Sequence, residues 1–167
     1  LETMIDDGDL SNYFNPQHTP GVVWAMLSAR DLLAAVQPNA PALWERRLLD
    51  EIAWGADFLV RMQDPEGYFY IGVFDVWSKA LDERRICAFS TQKGHLGDDY
   101  QAAYRQGGGM AIAALARASV LARRGGSLEE NEAAGPRDAG EQLPGEYTSA
   151  EYTEAARRGF FHLEEHN

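Results

Sequence analysis

Apolar positions recur at helical spacing in four segments of this chain, whereas strand-like alternation is scarce. The first segment opens at Thr19-Pro20, a hydroxyl suited to an N-cap followed by a proline suited to the first helical position. Val23, Met26, Leu27, Leu33 and Val36 give it an apolar face, and Pro38 ends it. The second segment runs from about Pro41 to Gln63, with Leu48, Leu49, Ile52, Ala53, Ala56, Leu59 and Met62 forming a wide apolar face. Gly55 sits mid-segment, where glycine costs about 1 kcal/mol relative to alanine, and so predicts close approach by another helix. The third segment spans roughly Gln106 to Arg124. Met110, Ile112, Ala113, Leu115, Ala116, Ser119 and Val120 leave it small-sided and almost wholly apolar, which predicts a central position. Arg123 and Arg124 suit the negative end of its dipole, and Gly125-Gly126 a C-terminal stop. The fourth begins at the capping box Thr148-Ser149-Ala150-Glu151, with Tyr152, Ala156, Gly159, Phe160 and Leu163 as its expected buried stripe.

The connections differ in character. Asp64-Pro65-Glu66-Gly67 is a turn by composition, and Tyr68 to Phe74 reads as a short extended stretch. Residues 75–97 look irregular, and 127–147, rich in Glu, Gly, Pro and Asn, read as a flexible loop. Two connections exceed about 12 residues, longer than a four-helix bundle prefers. The expectation is an all-α chain of helical hairpins stacked side by side, with long irregular loops.

Composition narrows the function. The 167 residues fit one domain, and 45% are apolar, enough for a packed core. No apolar run approaches the roughly 20 residues that cross a bilayer. Leu1-Glu2-Thr3-Met4 has neither the basic start nor the apolar stretch of a signal peptide. Lacking an initiator Met, the chain is expected to begin after processing or inside a longer one. The compartment stays open between cytoplasm, periplasm and secretion. A net charge of −11, from 26 acidic and 15 basic residues, argues against a nucleic-acid partner and suits neutral or cationic ligands. A lone cysteine, Cys87, allows no internal disulfide and reads as a small buried hydrophobe.

Three clusters carry candidate chemistry. Asp6-Asp7-Gly8-Asp9 puts three carboxylates in four positions around a glycine that permits a sharp bend. Two such carboxylates can share a water and remove its proton, the general-base half of inverting glycoside hydrolysis. A solvated acidic turn and a loop of calcium ligands fit the same residues, so a structural calcium stays open. Tyr68, Tyr70 and Trp77 lie in an aromatic run that suits either stacking on sugar rings or core packing. Asp98 to Gly109 ends in three glycines without a phosphate-loop pattern, and Arg105 within it suits an ion pair or a ligand contact. His162 and His166 share metal-ligand spacing, but no third ligand is evident; an exposed helix end is the expectation, with no metal or cofactor.

Glu51-Ile52-Ala53-Trp54-Gly55-Ala56-Asp57-Phe58-Leu59 resembles a helix of family 9 glycoside hydrolases, the cellulase and endoglucanase family. Asp6-Asp7-Gly8-Asp9 is similar to that family's catalytic Asp-Ala-Gly-Asp loop, with Asp7 in place of Ala, and Met110 to Ser119 looks like its Ala-rich helix. The resemblance implies the N-terminal portion of an (α/α)6 barrel and inverting hydrolysis of β-1,4-linked glucans such as cellulose or cello-oligosaccharides. By position, Asp9 would be the base, and Asp6 would help hold the water. Asp7, Tyr68, Tyr70, Trp77 and Arg105 are the expected substrate contacts. Thr3-Met4-Ile5 departs from the aromatic lead the family carries before its loop. The family's general-acid Glu lies in late helices, so residues 1–167 are expected to form only part of the catalytic domain. Asn15 to Pro20 and Asp99 to Gly109 are more similar to the branch containing exo-β-D-glucosaminidases, which act on chitosan oligosaccharides; there Asp7 would meet a cationic sugar. A non-catalytic helical carbohydrate-binding module and a calcium-stabilised scaffold are the other readings.

Overall fold

The structure, a computed structural model, describes residues 18–70, 72–74, 85–87, 104, 107–123 and 143–166; for 72–74, 85–87 and 123 it describes the backbone alone. Helices dominate: α1 (His18–Val36), α2 (Ala42–Arg61), α3 (Gly108–Arg123) and α4 (Ser149–His166). Two short strands, β1 (Gly72–Phe74) and β2 (Arg85–Cys87), pair antiparallel with Val73 opposite Ile86. Among the described residues the fold is all-α apart from this small ladder. β2 corrects the expectation of irregular chain throughout 75–97. Its partner lies eleven residues before it, and such non-local pairing leaves little mark on a three-residue segment.

α1 already includes His18 and Thr19, so Thr19 is not its cap. Pro20 is still within the first described turn, where an absent N–H leaves no helical bond unmade. The five residues 37–41 return the chain into α2, too few for anything but an antiparallel hairpin. Two contacts fix the pairing. Arg30 bonds Glu45 at 2.7 Å near the connection, while Val23 packs against Gly55 farther along. A Cβ on Gly55 would collide with the Val23 side chain, which is the close approach the mid-helix glycine predicted.

α3 and α4 form a second antiparallel pair. Ser149 Oγ donates to Ser119 O at 2.8 Å at one end, and Tyr104 OH donates to Phe160 O at 3.3 Å at the other. α4 starts as its sequence dictates: Thr148 N–H donates to the Glu151 carboxylate at 2.7 Å, and Glu151 N–H donates back to Thr148 Oγ1 at 3.3 Å.

The hairpins stack so that α1 lies against α3, with Thr19 near Ala111 and Ser28 bonded by Arg117. Both helices therefore run in the same direction. α2 and α4 also run in parallel, since Asp57 meets Tyr152 and Gln63 meets Ala155. α1 and α4 touch at most marginally. An up-down four-helix bundle would put α4 beside α1 and α3 diagonally across, so the arrangement is a stack of hairpins.

One core joins the helices, including Val23, Leu27, Ile52, Leu59, Phe69, Leu115 and Tyr152. On α3 the buried stripe is Ala111, Ala114, Leu115, Ala118, Leu121 and Ala122. Met110 and Val120, expected inside, are exposed: the buried stripe is mostly alanine, which lets α1 and α4 come close. On α4 Phe160 is likewise exposed while Ala155 and His162 are buried.

Candidate functional site

Topology sorts the connections between two ends of the stack. At one end α1 and α3 begin and α2 and α4 finish. The 37–41 link and the connection from α3 to α4 leave from the other. Asp6, Asp7, Asp9, Trp77 and Arg105 lie outside the described residues, yet each belongs to a segment that joins the helices at the first end. Tyr68 and Tyr70 are at that end and are described directly.

That end is built on a tight reversal. After Met62 caps α2, Asp64 N–H donates to Tyr68 O and Tyr70 N–H to Met62 O, each at 2.8 Å, leaving Asp64–Gly67 as the expected turn. Gly67 has a φ of 110°, and a Cβ there would lie 2.6 Å from Arg158 O of α4. Only glycine meets both demands comfortably. The reversal thus lies directly on the last turns of α4.

The two tyrosines are brought together, with ring centroids 5.3 Å apart in a T-shaped contact. Both are about 95% buried, each being only 5% exposed, so neither presents a face for a sugar to stack on. The Tyr70 hydroxyl donates to the Asp64 carboxylate. Burial raises the pKa of both phenols, and for Tyr70 the bond to Asp64 adds to the rise. Tyr68 packs on His162 of α4, and His162 stacks on His166 at 4.3 Å. His162 is therefore part of the interior, which corrects the expectation that both histidines mark an exposed helix end; His166 is exposed. Among the described residues no group of three or more His, Cys, Asp or Glu is placed to hold a metal.

A cleft of about 390 Å³ opens over this surface, lined by Glu66, Arg157, Arg158, Phe161, His162, Glu165 and His166. The sequence singled out its two histidines and the turn that holds Glu66 but not the cleft, since Phe161 and Glu165 look like ordinary solvent-facing positions there.

The other unforeseen group is Asp57, within the family-like segment of α2. It is 5% exposed and accepts bonds from Tyr152 OH and from Glu146 N–H, the latter at 2.8 Å. Burial, followed by the bond to Asp57, raises the pKa of the Tyr152 phenol. A signal was present: Asp57 falls among Ala53, Ala56 and Leu59 on the apolar face, where an acid needs partners. Leu143 is buried beside this lock, so the last residues of the 127–147 segment are anchored.

No family model matches this sequence, and no curated protein matches it.

Proposed function

We propose that this chain is part of the catalytic domain of an inverting glycoside hydrolase that resembles family 9 and acts on β-1,4-linked glucan-type sugars. Asp9 is the general base in this reading, and Asp6 shares the water with it. Asp7, Trp77 and Arg105 contribute to sugar binding, while Tyr68 and Tyr70 support the surface from within.

The observation that carries the reading is the convergence at one end of the stack. Every segment holding a proposed catalytic or sugar-binding residue joins the helices where α1 and α3 begin and α2 and α4 finish. A rigid helical layer that presents several loops on one side is a common way to assemble catalytic groups from distant sequence positions. The direction of the helices supports the barrel reading as well. In an (α/α) toroid neighbouring inner helices run in parallel, each backed by an antiparallel partner, and α1 and α3 pair in this way. α1 also carries a second apolar stripe, Val22, Ala25, Ala29, Leu32 and Val36, exposed along its length. Its alternating three- and four-residue spacing suits packing by another helix.

Chemically, a carboxylate in the Asp6-Asp7-Gly8-Asp9 segment takes the proton from a water as that water attacks the anomeric carbon. A second acid, a Glu in the family that this chain resembles, protonates the leaving oxygen.

The test is Asp9→Asn in the natural polypeptide that carries these residues. Hydrolysis of cellotetraose should fall by about 10³-fold while binding of the sugar persists. Unchanged turnover in the variant refutes the assignment. Sugar binding without turnover in the unmutated protein favours a carbohydrate-binding module. Faster turnover of the glucosamine dimer than of cellobiose-type sugars shifts the substrate to chitosan oligosaccharides.

A further inference from the structure

We propose that the cleft between the Asp64–Gly67 turn and the last turns of α4 is a sugar subsite, holding a part of the glycan chain remote from the bond being cleaved. The proposal rests on the glycosidase reading and adds a place where substrate is gripped.

Three observations point to it. The cleft lies at the end of the stack where the loops with the proposed catalytic residues attach. Its volume of about 390 Å³ is enough for one or two pyranose rings. Its lining also matches the surface of a pyranose, which alternates apolar C–H faces with hydroxyls that both donate and accept. Phe161, 52% exposed, supplies an aromatic ring, with Phe160 packed edge-on against it and the Arg157 guanidinium 5.6 Å over one face. Glu66 and Glu165 supply carboxylates that have no hydrogen-bond or ion-pair partner among the described residues. Arg158 and His166 supply donors, whereas Arg157 already donates through Nε and Nη2 to Glu154.

The balance of charge matters too. Two carboxylates, two guanidinium groups (that of Arg157 paired with Glu154) and two imidazoles line the cleft, so no single sign dominates, unlike the chain as a whole. A neutral polyhydroxylated ligand suits such a lining better than a phosphate or a metal ion. The wall is also firmly held. Arg158 donates to Gln63 Oε1 at 2.9 Å, Gln63 Nε2 donates to Gly67 O and Ala155 O, and Tyr68 backs His162. Tyr68 therefore acts on sugar binding through the ring in front of it.

The experiment compares cellobiose-type and cellohexaose substrates with Phe161→Ala, Phe161→Leu and, as a control outside the cleft, Trp54→Ala. Phe161 is exposed, so folding should be undisturbed. Losing the ring should raise KM for cellohexaose by about tenfold, in line with loss of one aromatic stacking contact, and leave kcat and the short substrate unchanged. Leucine should behave like alanine because the flat face is missing in both, and Trp54→Ala should match the unmutated protein. Equal KM values for Phe161→Ala and unmutated protein on cellohexaose overturn the proposal. If the protein hydrolyses neither sugar, the catalytic reading fails, and calorimetric titration with cellohexaose decides the cleft alone. Binding lost in Phe161→Ala upholds it, and binding that is absent or unaltered overturns it.

Discussion

α2 touches its neighbours in two different ways. Against α1, apart from the Arg30–Glu45 ion pair near the connection, it is apolar and close-fitting: Gly55 gives way to Val23, and Leu49, Ile52 and Ala56 fill the space around them. Against α4 far fewer residues meet, and the principal bonds are polar and buried, from Tyr152 to Asp57 and, just past the end of α2, from Gln63 to Ala155. The contrast separates two tasks. An apolar seam gains free energy from area and tolerates small slides, since burial is not directional. A buried hydrogen bond adds little net stability, but leaving it unmade is costly, so it fixes position. The α1–α2 contact binds a hairpin together, and the α2–α4 contact sets how one hairpin stands against the next. The second task determines where the Asp64–Gly67 turn meets α4.

The largest expected effect comes from breaking the polar contact. Asp57→Ala leaves the Tyr152 hydroxyl and the Glu146 N–H without their acceptor, and should cost about 3 kcal/mol in a denaturant titration. A cost below about 0.5 kcal/mol would mean that water replaces the carboxylate freely, and the contrast between the seams would collapse.

Next in size is the apolar seam. Gly55→Ala places a methyl group against Val23 and should cost about 2 kcal/mol. Adding Val23→Ala should recover part of that loss, because the second change removes the obstructing atoms. Two additive losses in the double variant would show that the helices meet elsewhere.

The smallest effect is a pH dependence. Tyr152 has a raised pKa in the folded protein, first from burial and then from donation to Asp57, while in the unfolded chain it titrates near the usual value of about 10. Its contribution is therefore complete below about pH 10 and is lost as pH rises toward the native value. Tyr152→Phe should be less stable than the unmutated protein at pH 8, and the difference should shrink above about pH 10. A constant difference between thermal midpoints from pH 8 to 11 would contradict this origin for the stabilisation.

Local features were the most legible from sequence. The capping box at Thr148, the turn at Asp64 and the glycine at position 55 each depend on a few adjacent residues or on one missing side chain, and all three take the expected form. Helix faces were harder to read. Uniformly apolar segments such as α3 have no polar side to mark the outside, so the alanine stripe was hidden among larger residues. Strand β2 and the cleft at α4 arise from contacts between distant positions. Asp57 lay between these cases: its place on an apolar face signalled a buried acid, while its partners come from a segment 89 and 95 residues away. Of the proposed site, the sequence carried the residue types, and the fold contributed the common end at which their segments attach to the helices.

The most direct measurement of the central claim is the anomeric form of the first product released from cellotetraose, followed by proton NMR in the natural polypeptide. A base that aims water at the face opposite the leaving group predicts the α-anomer first, with the β-anomer appearing only through mutarotation. Initial release of the β-anomer, or no release of sugar at all, would contradict the account.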